Sequence, residues 1–127
     1  MRAVDTNILI RLIVRDDPKQ VAAAETFIEK GGWVSHLVLV EATWVLSTVY
    51  EKDARSVAAS IGMLLNHKTL TIQDGEVVSA ALEHFQRRPA TGFSDCMVLE
   101  IARKNGHLPL GTFDQNLSKL PDCERLR

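Results

Sequence analysis

Arg2-Ala3-Val4-Asp5-Thr6-Asn7-Ile8-Leu9-Ile10-Arg11-Leu12-Ile13-Val14 opens the chain as a short apolar strand running directly into an acid and then a helix. From Asn7 to Val14, Ile8, Leu9, Leu12 and Ile13 fall on one helical face. The same step recurs. Trp33-Val34-Ser35 reads as a strand before a mostly buried helix over Leu37 to Tyr50. Thr69-Leu70-Thr71-Ile72, short and β-branched, reads as another, before a helix striped by Val77, Val78, Ala81, Leu82 and Phe85. Between these lie two more helices. One starts with Asp17 as cap, Pro18 in the first position and Gln20 in capping-box register, and buries Val21, Ala24, Phe27 and Ile28 before Gly31-Gly32 stops it. The other carries Val57, Ala58, Ile61, Leu64 and Leu65. Ser94 to Asn105 is helical with Val98, Ile101 and Ala102 inward, Leu108 to Thr112 is a strand, and Cys123 to Arg127 forms a last short one. Alternating strands and helices predict an α/β fold, a three-layer α/β/α sandwich with a central parallel sheet. Ligands of such folds bind beyond the carboxyl ends of the strands.

A length of 127 residues predicts a single domain, and 46% hydrophobic with 24% charged residues is the balance of an average globular chain. Cys96 and Cys123 stand in no CxxC pattern, which fits two free thiols in a reducing cytoplasm better than a disulfide framework or a structural zinc site. The opening residues lack the long apolar stretch of a signal peptide, and the most apolar window, Trp33 to Tyr50, is interrupted by Glu41 and hydroxyl residues, so no membrane segment is expected. A net charge of −1 argues against nonspecific DNA binding and leaves room for an enzyme with a local basic rim.

Four acids stand where a solvated helix face would not put them. Asp5 ends the first strand, and Asp114 follows the Leu108–Thr112 strand by two residues. Glu41 is the only charged residue between Lys30 and Glu51, and Asp95 is a lone charge in Phe93-Ser94-Asp95-Cys96-Met97-Val98-Leu99. Each also has a local reading. Asp5, Asp95 and Asp114 suit helix starts, and Glu41, if buried, needs a partner such as Arg11. Together, four carboxylates in one crevice would repel one another unless cations compensate, and two divalent ions would balance them. Oxygen donors without His or Cys favour Mg²⁺ or Mn²⁺. Such sites perform phosphoryl chemistry, in which metal-activated water attacks phosphorus and a second cation stabilises the leaving oxygen.

At these residues the sequence resembles the PIN domain family, and within it the VapC-type toxins of toxin–antitoxin pairs. Ala3-Val4-Asp5-Thr6-Asn7-Ile8-Leu9-Ile10-Arg11 is similar to the family's first motif and Val38-Leu39-Val40-Glu41 to its second. Gly92-Phe93-Ser94-Asp95-Cys96 resembles the third and Gly111-Thr112-Phe113-Asp114 the fourth, in the right order over nearly the whole chain. The resemblance implies a metal-dependent endoribonuclease with Asp5, Glu41, Asp95 and Asp114 as metal-binding acids. Thr6, Asn7 and Thr112 become supporting polar groups, Mg²⁺ or Mn²⁺ the cofactor, and residues 1–127 a single PIN-like nuclease domain. A homodimer, an RNA substrate and a cognate antitoxin lying across the active-site groove are implied as partners.

RNA must also be held. Arg11, Arg15, Arg87 and Arg88, with Arg103 and Lys104, are the candidates for phosphate contacts, and Arg11 could equally hold Glu41 or Asp5. His36, His67, His84 and His107 show no metal-ligand spacing. Trp33 and Trp44 read as core or dimer interface, and Cys96 as a buried thiol rather than a nucleophile. Two other readings stand beside the nuclease. One is another metal-dependent phosphoryl-transfer enzyme, although Asp5-Thr6-Asn7 lacks the second aspartate of haloacid-dehalogenase-like enzymes. The other is a non-catalytic PIN-like interaction module, for which four repelling carboxylates have no use.

Overall fold

Strand pairing decides the architecture. In the computed structural model, which describes residues 1–127, all strand pairs are parallel and six α-helices accompany them. This is the α/β class with a parallel sheet that the order of elements predicts. Residues 1–75 and 76–127 form two compact units, described in turn.

In the first unit, strands β1 (Arg2–Ala3), β2 (Gly32–Val34) and β3 (Leu70–Ile72) lie side by side in that order. Arg2 pairs with Gly32, and Gly32 with Leu70. A Cβ on Gly32 would stand 3.0 Å from Ile28, 3.1 Å from Val4 and 3.2 Å from Leu70, so any larger residue in this crowded middle strand would push those side chains aside. Helix α1 (Thr6–Val14) buries Leu9, Ile10 and Leu12, and stops where Arg15 turns left-handed at φ 56°. Helix α2 (Pro18–Ile28) starts as predicted, the Asp17 carboxylate accepting from the Gln20 amide at 3.1 Å. Phe27 is only half-buried, and the Arg2 guanidinium stacks 3.8 Å above its ring. Helices α3 (His36–Thr48) and α4 (Ala54–Leu65) are capped by Ser35 and Asp53. The Ser56 amide and hydroxyl hold the Asp53 carboxyl below the ordinary carboxylate range. Helix α1 packs on α2 and α3, and α3 on α4.

One expectation fails in α3. The helix is not mostly buried: only Leu39, Ala42, Thr43 and Leu46 face inward, one stripe at helical spacing. The opposite side leaves Leu37 77% and Trp44 63% exposed. Trp33 is exposed too, since alternate residues of a strand face opposite ways, and Gly32 and Val34 take the buried side. Neither tryptophan is core.

The second unit begins with helix α5 (Gly75–Arg87), whose buried stripe is Val77, Val78, Ala81 and Phe85. A short 3-10 turn at Pro89–Thr91 leads to Gly92, which caps helix α6 (Phe93–Lys104) at φ 82°, ψ 144°. That conformation is essentially reserved for glycine. Phe85 and Phe93 meet edge to face, centroids 6.0 Å apart. Along α6, Phe93, Cys96, Met97, Leu99 and Glu100 are buried while Val98 is exposed, so the inward stripe is rotated from the predicted one. Strands β4 (Leu110–Thr112) and β5 (Cys123–Arg125) pair in parallel, with Leu117 and Leu120 buried between them in sequence. No helix in the chain is long and apolar enough to cross a membrane.

Candidate active site

In the first unit, the end of β1 delivers Asp5 to the start of α1. Its backbone is extended, and Oδ1 accepts the Thr6 amide at 2.7 Å, leaving the other oxygen open in an exposed position. The cap reading of Asp5 is therefore correct and leaves half of the carboxylate over. Thr6 Oγ1 is buried and has no hydrogen-bond partner, alone among the buried side-chain polar atoms of the chain. An unsatisfied buried hydroxyl costs about 1 to 3 kcal/mol. A hydrated cation held by Asp5 would bring the missing partner.

Glu41 lies on α3 a little under two turns beyond Ser35, which follows β2. It is exposed, without a hydrogen bond or ion pair, so the desolvation penalty expected for it does not arise. Arg11 does not hold Glu41 or Asp5. Its guanidinium donates to Asp16 at 2.7 Å and to the Tyr50 hydroxyl at 2.7 Å, which ties the end of α1 to the end of α3. Arg15 faces Glu25 at 3.4 Å. Asn7 stands with Ile8, Arg11, Gln20 and Phe27 along an open groove of about 630 Å³ between α1 and α2. His36, set aside for lack of metal spacing, latches the strand ends. Its amide donates to Gln73 Oε1 at 2.9 Å, and its ring Nε2 lies 2.6 Å from the Gln73 carbonyl.

In the second unit, the structure brings Asp95 and Asp114 within electrostatic reach of each other. Asp95 sits half-buried in the first turn of α6, and its carboxyl is pushed above the ordinary range by burial and then by the Asp114 charge. No cation pairs with either. Asp114 is exposed and tethered by backbone. Its amide donates to Thr112 Oγ1 at 3.0 Å, and its Oδ1 accepts the Leu117 amide at 2.8 Å. Thr112 Oγ1 thus anchors the backbone at Asp114.

A residue pattern reasoning passed over is Glu100, buried on α6. It receives His84 Nε2 at 3.0 Å and Arg103 Nε at 3.2 Å, and Arg103 continues to Asp122 at 2.7 Å. Its signal was available: Glu100 follows Phe93, Cys96 and Met97 at helical spacing on the inward stripe. Arg103 is thereby engaged, as is Lys104 with Glu76. Cys96 is buried, its thiol pushed up to about 11 by burial first and Asp95 second, so it is no nucleophile.

Within either unit, no three His, Cys, Asp or Glu side chains form a ready-made metal cage. Taken unit by unit, the donors nonetheless suit hard divalent ions. In the first, Asp5 has the orphaned Thr6 hydroxyl next to it in sequence, and in the second, Asp95 and Asp114 are unneutralised, with oxygen donors in either case.

No curated protein and no solved structure matches the chain. The PIN domain family, whose members are typically metal-dependent nucleases, matches over residues 2–122 and so takes in all four acid-bearing motifs. On the strength of that match, the chain belongs to the PIN domain family.

Proposed function

We propose that residues 1–127 form a single nuclease domain, a metal-dependent endoribonuclease acting as the VapC-type toxin of a toxin–antitoxin pair, with Asp5, Glu41, Asp95 and Asp114 as its metal-binding acids. The observation that carries the reading is the Asp95–Asp114 pair, two carboxylates brought together without a cation in a PIN domain chain. Like charges are placed together at a cost, and a divalent ion removes that cost. Bound Mg²⁺ or Mn²⁺ would supply an activated water and charge stabilisation at the leaving oxygen, giving a 5′-phosphate and a 3′-hydroxyl.

The chain's own residues prepare this. The Thr6 amide orients Asp5, while Thr112 Oγ1 and the Leu117 amide fix Asp114, so each presents a set oxygen. Glu41, exposed and unpartnered, is free to ligate. Asn7 stands at the groove between α1 and α2, and that partly apolar groove beside the first motif suits a segment of the antitoxin. The exposed Leu37 and Trp44 on α3 support a homodimer. Of the RNA-contact candidates, Arg87 and Arg88 carry no ion pair, whereas Arg11 and Arg15 would have to leave Asp16 and Glu25. The cytoplasm, with its RNA and its reducing conditions, suits two free thiols.

The test is cleavage of structured RNA by the partner-free protein with Mn²⁺, with Mg²⁺ and with EDTA, alongside Asp95→Asn. Metal-dependent cutting that disappears in the variant supports the reading. Absence of cutting together with no metal-induced rise in melting temperature overturns it, in favour of an interaction module.

A further inference from the structure

The second unit contains a pocket of about 270 Å³ where the end of α5 meets the Lys119–Pro121 segment, lined by His84, Arg87, Arg88, Lys119, Leu120 and Pro121. We propose that this pocket is a phosphate subsite that grips the RNA backbone beside the Asp95–Asp114 pair, an inference that rests on the ribonuclease reading.

Charge is the first argument. Arg87, Arg88 and Lys119 are exposed, and none of their side chains has a hydrogen bond or ion pair. No carboxylate lines the pocket. On α6 the cations are matched, Arg103 with Glu100 and Asp122, and Lys104 with Glu76, whereas Arg125 and Arg127 near the chain's end carry no ion pair and line no such hollow. Three unmatched cations around one hollow repel one another and attract an anion. His84 belongs to the wall, since its ring is held by Glu100 at 3.0 Å. A simpler explanation covers part of this, because arginines at a helix carboxyl end complement its dipole. It accounts for Arg87 and Arg88 and leaves Lys119, brought in from a different segment, without a reason.

Continuity is the second argument. Arg88 leads through the Pro89–Thr91 turn and Gly92 into the turn of α6 that holds Asp95, seven residues on. Lys119 ends the 3-10 turn whose Leu117 amide is bound by the Asp114 carboxylate. Both walls of the pocket therefore run into the two acids. A strand whose phosphate sits in the pocket is anchored on the segments that set those carboxylates. Arginine's planar fork suits phosphate oxygens, and the buried Leu120, with the exposed Pro121 beside it, gives the pocket an apolar side.

The experiment measures binding of a labelled mixed-sequence single-stranded RNA oligonucleotide in EDTA, over a salt series. It compares the whole chain, the triple variant Arg87→Gln, Arg88→Gln, Lys119→Gln, and a charge-matched control, Lys30→Gln, Lys52→Gln, Lys68→Gln. The pocket variant is expected to lose affinity about tenfold, with a log–log salt dependence shallower by about 2, as for three lost phosphate contacts on a single strand. Its melting temperature and its Mn²⁺-induced stabilisation should stay those of the parent. Inorganic phosphate should weaken RNA binding by the parent more than chloride at equal ionic strength, and should lose that advantage in the pocket variant. Equal losses in the control, or an unchanged salt slope in the pocket variant of a parent that does bind and cut RNA, would overturn the subsite and leave the nuclease reading intact. Unchanged RNA binding with weakened binding of a poly-glutamate peptide would also overturn it, in favour of protein docking. A parent that neither binds nor cuts RNA overturns the ribonuclease reading itself.

Discussion

Glu41 on α3 and Glu100 on α6 look alike in sequence, each flanked by apolar helical neighbours. Their surroundings are opposite. Glu100 is buried and accepts from His84 and Arg103, joining α5, α6 and the segment before β5. Glu41 is exposed on the side of α3 that also presents Leu37 and Trp44, and it has no partner. An isolated acid in an apolar helix thus marks either a charge that the fold needs or one that the fold leaves available. Sequence alone does not separate the two, because the distinction depends on which helical stripe turns inward and on whether a cation from another element can reach it. Here the available acid is the one in a family motif, and the needed acid is in none.

Substitution can break that contrast. For Glu41→Gln the largest effect is on chemistry: metal-dependent RNA cleavage should fall roughly 100-fold or more, at least the loss usual for groups that merely support a metal ligand. Stability should change by no more than about 0.5 kcal/mol, as for exposed positions. A clear drop in melting temperature would show that Glu41 has a structural partner after all. Glu100→Gln should do the reverse. Removing one member of a buried pair costs about 3 kcal/mol, somewhat less here because Arg103 is partly exposed, so melting should fall by about 10 °C while the folded fraction keeps its activity. An unshifted melting curve would place Glu100 with the available acids.

Asp95 sharpens the comparison with a smaller effect, through pH. Its folded-state pKa lies above the ordinary value, so the folded chain holds this proton more tightly than the unfolded chain does. The ionised form therefore opposes folding at neutral pH, and the opposition fades as pH falls through the raised pKa. Asp95→Asn should melt about 2 °C higher than the parent at pH 7 without metal. The gap should close near about pH 4, and excess Mn²⁺ should reverse it by stabilising only the parent. A variant that melts lower at pH 7 would make Asp95 a structural partner, as Glu100 is. The smallest signal is at Cys96, next to Asp95. Its thiol, at about 11 and buried, should resist a disulfide reagent at pH 8 until the protein unfolds. Rapid labelling would mean that the first turn of α6 opens.

The alternation of strands and helices was legible because each element states its period locally: Leu9, Leu12, Val21, Ala24, Val77 and Ala81 all face inward as the pattern requires. Caps at Asp5 and Asp17 were legible for the same reason, since a cap bonds within a few residues of itself. The four candidate acids could be singled out from the stretches that resemble the family's motifs. What could not be read was every feature set by a distant partner. Arg11 turned to Asp16 and Tyr50 instead of to Glu41, and His36 found Gln73, 37 residues away. The helix α3 looked buried because its composition is apolar all round, and composition does not say how much of a helix its neighbours cover.

The backbone tethers at Asp5 and Asp114 have a consequence for ion choice. In each carboxylate Oδ1 is already held by an amide, from Thr6 and from Leu117 respectively. As ligands these two side chains would favour bonding through the other oxygen, because chelation through both would make Oδ1 share its lone pairs between amide and ion. Calcium sites of high affinity rely on such two-toothed carboxylates and on seven or so oxygens, whereas magnesium accepts single oxygens and keeps much of its water. On the proposed reading the tethers bias the site against two-toothed binding. Two ordinary caps, formed for the sake of a helix and a turn, would tilt the choice towards the smaller ion.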